Sequence, residues 1–262
     1  MARLIAGLML IFAATGAVLA SSSAAVENDT VYHMVLFLHQ ILFVFWLGPD
    51  IGVYMWSTKV TNPELSQAQR VAAGRIMQVI DLIPKVCMSL MLTVGGILTE
   101  MMGIEHPWWQ MAGIVLLGPV WLTMTLLVYR QSGTDAGHRL ARFDIWFRWL
   151  VVASVLASVA LSVSTGRLED TPWVTGKLMI FAAVVFFSIQ MRYRLAPFTT
   201  GIDQLEASGS TPELDQQLKR SMSRARVFMF ASWLGLGLAA GLGMAQPGSP
   251  PPVDIPSEQM LD

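Results

Sequence analysis

The chain has 262 residues, of which 54% are hydrophobic and 13% are charged, with a mean hydropathy of +0.54 and a formal net charge of −1. This composition excludes an ordinary soluble domain, and no basic block indicates nucleic-acid binding. The single cysteine, Cys87, excludes an intramolecular disulfide and a CxxC metal or redox site. The sequence therefore predicts a protein that crosses a membrane several times.

The first 24 residues have the pattern of a secretory signal peptide. Arg3 supplies the charged start, an apolar stretch runs from Leu4 to Leu19, and small residues follow from Ala20. The alternative is an uncleaved first membrane helix. We expect residues 25–246 to form the transmembrane domain and residues 247–262 to form a Pro-rich, acidic tail outside the cytoplasm.

Six apolar stretches follow the signal, each about as long as a helix needs to cross the hydrocarbon core. Their approximate ranges are 31–54, 76–100, 110–129, 147–166, 174–193 and 226–245. Leucines spaced among charges over 203–224 favour a separate amphipathic surface helix. The predicted fold class is all-α, a polytopic membrane bundle of six transmembrane helices.

Basic residues predict the orientation of these helices. Of the 17 basic residues, 13 lie in or beside three alternate loops: Lys59, Arg70, Arg75, Arg130, Arg139, Arg142, Arg148, Arg192, Arg194, Lys219, Arg220, Arg224 and Arg226. The positive-inside rule places these loops in the cytoplasm and both mature termini in the periplasm of a bacterium, with the helices in its inner membrane. Tryptophans at the helix ends, Trp173 among them, fit an interfacial belt.

One stripe of the first helix carries His39, Phe43, Trp46 and Asp50, spaced for a single face. An imidazole and a carboxylate in lipid would cost about a few kcal/mol each, so this stripe is expected to face the protein interior. From spacing alone, His39 is either a hydrogen-bonded core residue or a ligand. Pro49 removes a helix hydrogen bond and is expected to bend the helix.

The second helix carries Asp81 and Lys85 at the favourable i,i+4 spacing. We expect the two charges to neutralise each other inside the bundle, with Asp50 at a similar depth. Two carboxylates beside one ammonium would leave a group able to take up a proton. Asp50 is therefore a candidate catalytic residue.

Thioether and imidazole groups gather at the outer ends of the first two helices, and such groups suit Cu(I). They belong to His33, Met34, Met101, Met102 and His106. The alternative for the methionines is ordinary packing, because Met fills gaps in apolar cores.

Three runs resemble the HemJ family of membrane protoporphyrinogen IX oxidases and the wider set of CopD-like membrane proteins: His39–Gly48, Arg75–Pro84 running on to Gly95-Gly96, and Trp173–Leu178. The resemblance implies that His39 is an axial ligand of haem b and that Lys177 is a second ligand or a partner of a tetrapyrrole carboxylate. It places Trp46 and Trp173 in the cofactor-binding motifs. The chain departs from the HemJ pattern at Ser188, where that family has a histidine.

These expectations combine into a haem b-binding inner-membrane redox protein, with Lys177 and Asp50 as candidate catalytic residues. The expected partners are membrane lipid, a tetrapyrrole or quinone substrate and an unidentified electron-transfer protein, and self-association is left open. One alternative is a CopD-like protein that handles or transports copper. The other is a membrane subunit without catalytic activity.

Overall fold

The computed structural model describes residues 25–248, which form seven helices; the predicted signal peptide and most of the acidic tail lie outside this range. The helices are α1 (Ala25–Val60), α2 (Gln67–Ile80), α3 (Leu82–Met101), α4 (Trp108–Arg130), α5 (Asp135–Ser164), α6 (Pro172–Ser208) and α7 (Pro212–Ala245). The described residues contain no strand.

Six helical segments are long and apolar enough to cross a membrane, with α2 and α3 together providing one of them. The predicted all-α class and the six spans are therefore confirmed, and the protein is a multi-pass membrane protein. Several aromatic residues near the ends of the predicted apolar spans are exposed, as expected for an interfacial belt: Trp108, Trp109, Trp146, Trp149 and Tyr193. Trp173 also stands at a helix start, but its side chain is buried against the protein.

The second span is interrupted, whereas the sequence pattern predicted one continuous helix over 76–100. α2 ends at Ile80, and Asp81 caps it by donating its backbone N–H to the carbonyl of Met77 at 2.9 Å. Pro84 explains the break, because its nitrogen has no hydrogen to donate to the carbonyl of Ile80, four residues before it. Pro49, by contrast, lies within the continuous helix α1.

The expectation of a separate surface helix over 203–224 is wrong. α6 continues to Ser208, the chain turns at Gly209 with a φ of +84°, and α7 starts at Pro212 behind the N-cap Thr211. Leucines of this region point into a buried cluster rather than towards solvent: Leu205, Leu214 and Leu218. The charges between them lie on the outer side of two helix ends, which explains the amphipathic pattern.

The chain divides into two compact units. The first contains the N-terminal residues up to Val44 together with Cys87–Trp121, and the second contains Phe45–Val86 and the residues from Leu122 on. In the second unit α6 packs against α7, α5 and α2. The buried cluster of this unit includes Val60, Ala73 and Phe198.

In the first unit, Thr93 of α3 joins its helix to α4. Its hydroxyl donates to the carbonyl oxygen of Ile114 at 2.5 Å and accepts the backbone N–H of Gly118 at 2.9 Å. These are the two groups that would otherwise bond to each other within α4. An ideal Cβ at Gly118 would lie 2.8 Å from the Thr93 hydroxyl, so this close approach requires glycine.

Candidate functional site

His39 is half-buried on α1 and lies against α3 of the same unit. An ideal Cβ built on Gly95 would be 3.3 Å from the His39 Cε1 atom and 3.8 Å from its Nδ1 atom. The imidazole therefore packs against α3 at Gly95, which has no side chain; we call this position the notch. This contact confirms that the His39 side of α1 faces another helix.

Trp46 and Asp50, further along the same stripe, are both buried in the second unit. The Trp46 ring meets Phe181 of α6 edge to face, with 6.4 Å between the ring centroids. Asp50 accepts a hydrogen bond of 2.6 Å from the indole Nε1 of Trp233 on α7. The interior orientation expected for these two residues is confirmed, while the part played by Trp233 was not predicted.

Aromatic rings extend from Asp50 towards the end of α1. Tyr54, one turn after Asp50, packs against Trp233 and Phe230 with ring centroids 5.9 Å and 5.5 Å away. The Arg226 guanidinium lies over the Tyr54 ring at 5.3 Å. Asp50 therefore lies beside a group of aromatic rings that extends to the Arg226 guanidinium.

The predicted ion pair between Asp81 and Lys85 is confirmed. Both side chains are partly exposed, and both interact electrostatically with Asp50. The three groups are therefore electrostatically coupled, as their spacing along two helices predicted. Asp81 has a second role as the C-cap of α2.

Lys177 and Trp173 lie together at the start of α6. The Lys177 Nζ atom is 5.3 Å from the Trp173 ring centroid, a distance typical of a cation–π contact, and it packs against Gly243 of α7. Within residues 25–248, no carboxylate forms an ion pair with Lys177. The structure thus brings Lys177 to Trp173, whereas His39 belongs to the other unit.

The two histidines among the soft-ligand residues of the first unit contact carboxylate or backbone groups. His106 Nδ1 lies 2.6 Å from Glu100 Oε2, which also accepts the His106 backbone N–H at 3.1 Å. His33 is exposed, and its Nδ1 lies 2.8 Å from the carbonyl oxygen of Asp29. Throughout the described part of the chain, no group of three or more His, Cys, Asp or Glu residues has the arrangement of a metal site.

A further buried cluster joins α5 to α6 and was not predicted. Asp144 accepts hydrogen bonds from Arg148, one turn later on α5, and from Arg192 of α6. Ser188, at the position where the HemJ pattern has a histidine, accepts a hydrogen bond of 3.0 Å from Arg148. Ser188 is therefore a hydrogen-bond acceptor for this arginine cluster.

Comparison with known proteins gives no relative: no family model, no curated protein and no solved structure matches this chain.

Proposed function

We propose that this multi-pass membrane protein binds haem b through His39 and acts in electron transfer. The observation that supports this is the close approach of the His39 imidazole to Gly95, where an added Cβ would lie 3.3 Å from the His39 Cε1 atom. Histidine is a common axial ligand of haem, and a half-buried imidazole on a membrane helix is costly unless it has a role. The resemblance of three sequence runs to the HemJ family points the same way.

A bound haem b would supply one-electron redox chemistry. Lys177, in the second unit, would bind a carboxylate of a tetrapyrrole, and Trp173 would hold its ammonium through the ring. Trp46 belongs to the cofactor-binding motif that the resemblance implies. Asp50 would hold or release a proton at its carboxylate, with the Trp233 N–H stabilising the ionised form.

The proposed membrane is the inner membrane of a bacterium, with both mature termini in the periplasm. The basic residues of the three alternate loops support this orientation. A reporter fused after Asp262 should be active only if it works outside the cytoplasm. Fluorescence from a reporter that fluoresces only in the cytoplasm, fused at the same end, would show that the orientation is the opposite one.

The test of haem binding is the absorption spectrum of the full chain purified from haem-replete cells. We expect a Soret band and split visible bands on reduction, lost or shifted in His39→Ala and unchanged in His138→Ala, since His138 is exposed near the start of α5. Lys177→Ala should weaken haem retention or alter the spectrum. A folded protein without haem would refute the proposal.

Glycine variants provide a matched control for the notch itself. Gly95→Val should displace the imidazole and disturb the spectrum, because the added side chain needs the space that His39 occupies. Gly113 of α4 has open space where its Cβ would lie, so Gly113→Val should leave the spectrum unchanged. Equal spectra for both valine variants would show that the notch has no part in haem binding.

Copper handling is the second candidate, and the Glu100–His106 pair favours it. Metal-binding histidines commonly have one ring nitrogen fixed by a carboxylate, which leaves the other nitrogen for the metal. Met101 and Met102 stand at the adjacent end of α3 and provide soft ligands. Stoichiometric copper in a haem-free preparation, lost in His106→Ala, would establish this function. A protein with neither group would be a non-catalytic subunit.

A further inference from the structure

The cluster between α5 and α6 contains two buried or partly buried arginines and one carboxylate. Asp144 and Arg148 have side-chain exposures of 1% and 4%, and Arg192 has 28%. One oxygen of Asp144, Oδ2, accepts from Nε of Arg148 at 3.0 Å and from Nη1 of Arg192. Arg148 also donates through Nη1 to the hydroxyl of Ser188, which in turn donates to the Val185 carbonyl.

This cluster has an excess of positive charge. Arginine stays protonated in proteins, so the two guanidinium groups and the one carboxylate leave a net charge of +1. Asp81 also interacts electrostatically with Arg192, but it is already paired with Lys85. An uncompensated cation is unfavourable in a medium of low dielectric constant, so the arrangement calls for an anion.

Arg192 is the member of the cluster that an anion can reach. Among the described residues, its hydrogen-bond partner is Asp144, contacted through Nη1 alone. Its side chain is partly exposed, whereas Arg148 is enclosed. The remaining N–H groups of the Arg192 guanidinium therefore have capacity for oxygen acceptors, and a planar guanidinium suits phosphate oxygens especially well.

Exposed aromatic residues occur close in sequence to the cluster on both helices. Tyr193, next to it on α6, is 53% exposed, and Trp146 and Trp149 of α5 are 57% and 42% exposed. On membrane helices, exposed Trp and Tyr side chains gather at the level of the headgroups. In the proposed orientation the cluster lies where the predicted apolar spans 147–166 and 174–193 adjoin the basic loops, the side on which anionic lipids attract basic segments.

We propose that Arg192, oriented by Asp144 and Arg148, binds the phosphate group of an anionic phospholipid beside α5 and α6. The net charge of the cluster provides the selectivity. A zwitterionic lipid carries its own cation beside the phosphate, whereas an anionic lipid compensates the additional guanidinium. The binding is independent of haem or copper, because none of the residues involved belongs to the proposed cofactor site.

The test compares lipid retention by the full chain, measured by native mass spectrometry after exchange into phosphatidylglycerol or phosphatidylcholine. We expect preferential retention of phosphatidylglycerol, reduced about tenfold in Arg192→Gln, as loss of a charge-assisted contact implies. Arg194→Gln is the matched control on the same helix, because Arg194 is already bonded to Gln190 and stacked over Phe228. It should retain phosphatidylglycerol as the unmodified chain does.

Two further arms keep the result decisive. Arg192→Lys preserves the charge that balances Asp144 and should give a folded protein with intermediate retention, since an ammonium lacks the planar fork. Inorganic phosphate at millimolar concentration should not displace the lipid. Equal retention of the two lipids, equal losses in Arg192→Gln and Arg194→Gln, or full displacement by inorganic phosphate would each overturn the proposal.

Discussion

Two arginines on α2 make a sharp test of how burial determines the value of an ion pair. Arg70 has 1% of its side chain exposed and bonds to three groups: the Val60 carbonyl at 2.8 Å, the Ser210 hydroxyl at 2.9 Å and Asp215 at 2.7 Å. Arg75, five residues later, pairs with Asp203 and Glu206, and all three of these side chains are about half exposed. We predict that Arg70→Met destabilises the protein far more than Arg75→Met.

The expected magnitudes follow from the groups left behind. Arg70→Met keeps an apolar stem of similar length but removes three hydrogen bonds, one of them to a carboxylate that is 19% exposed. Net values of about 1 kcal/mol for a bond to a neutral acceptor and somewhat more for the bond to a carboxylate give a loss of roughly 3 kcal/mol, since Asp215 keeps its bond to Ser210 and some water. Exposed pairs contribute about 0–1 kcal/mol, so Arg75→Met should cost at most about 1 kcal/mol.

The measurement is the apparent free energy of unfolding in detergent micelles, from denaturation by SDS followed by circular dichroism. Raising the salt concentration should diminish the small effect of Arg75→Met and leave that of Arg70→Met nearly unchanged, because buried pairs are poorly screened. Equal destabilisation by the two substitutions would refute the argument that burial of Arg70 makes its contacts valuable.

Two other predictions concern the charged pair of the second span and the packing of α2. Lys85→Met should reduce the yield of folded protein slightly more than the double variant Lys85→Met with Asp81→Asn, because the single change leaves the partly exposed Asp81 carboxylate without its ammonium partner, which is worth about 0–1 kcal/mol. Equal yields would argue against the pair as the reason for the charges. Gly74→Ala should lower the melting temperature and reduce the free energy of unfolding by roughly 1–3 kcal/mol, because the added Cβ would lie 2.9 Å from the Ile202 side chain. Gly237 has open space where its Cβ would lie, so Gly237→Ala should instead raise the melting temperature, because alanine has the higher helix propensity. A lower melting temperature for both variants would show that these helices tolerate no substitution of glycine, whatever the space around it.

The number of membrane helices was predictable because each span is an apolar run of the length that a helix needs to cross a bilayer. The helix ends were less so. α6 and α7 extend well past the apolar runs, and Leu205, Leu214 and Leu218 are buried by a tertiary contact that hydropathy does not report. The break at Asp81 did have a local signal, since Pro84 removes a hydrogen bond four residues back.

The candidate site shows the same division between local and distant contacts. The Asp81–Lys85 pair is predictable from its spacing on one helix. The bond from Trp233 to Asp50 joins residues 183 positions apart, and Arg192 reaches Asp144 across 48. The sequence around Asp50 or Asp144 does not indicate these partners, because each pairing depends on which helices pack against each other.

The length of α6 has a consequence for access to the protein. At 1.5 Å per residue its 37 residues extend about 55 Å, while the hydrocarbon core is about 30 Å thick. About 25 Å of this helix, nearly half of its length, therefore lies outside the hydrocarbon layer, together with the start of α7. The turn at Gly209 is within reach of water-soluble macromolecules such as antibodies and proteases, which can report on the folded protein without entering the bilayer.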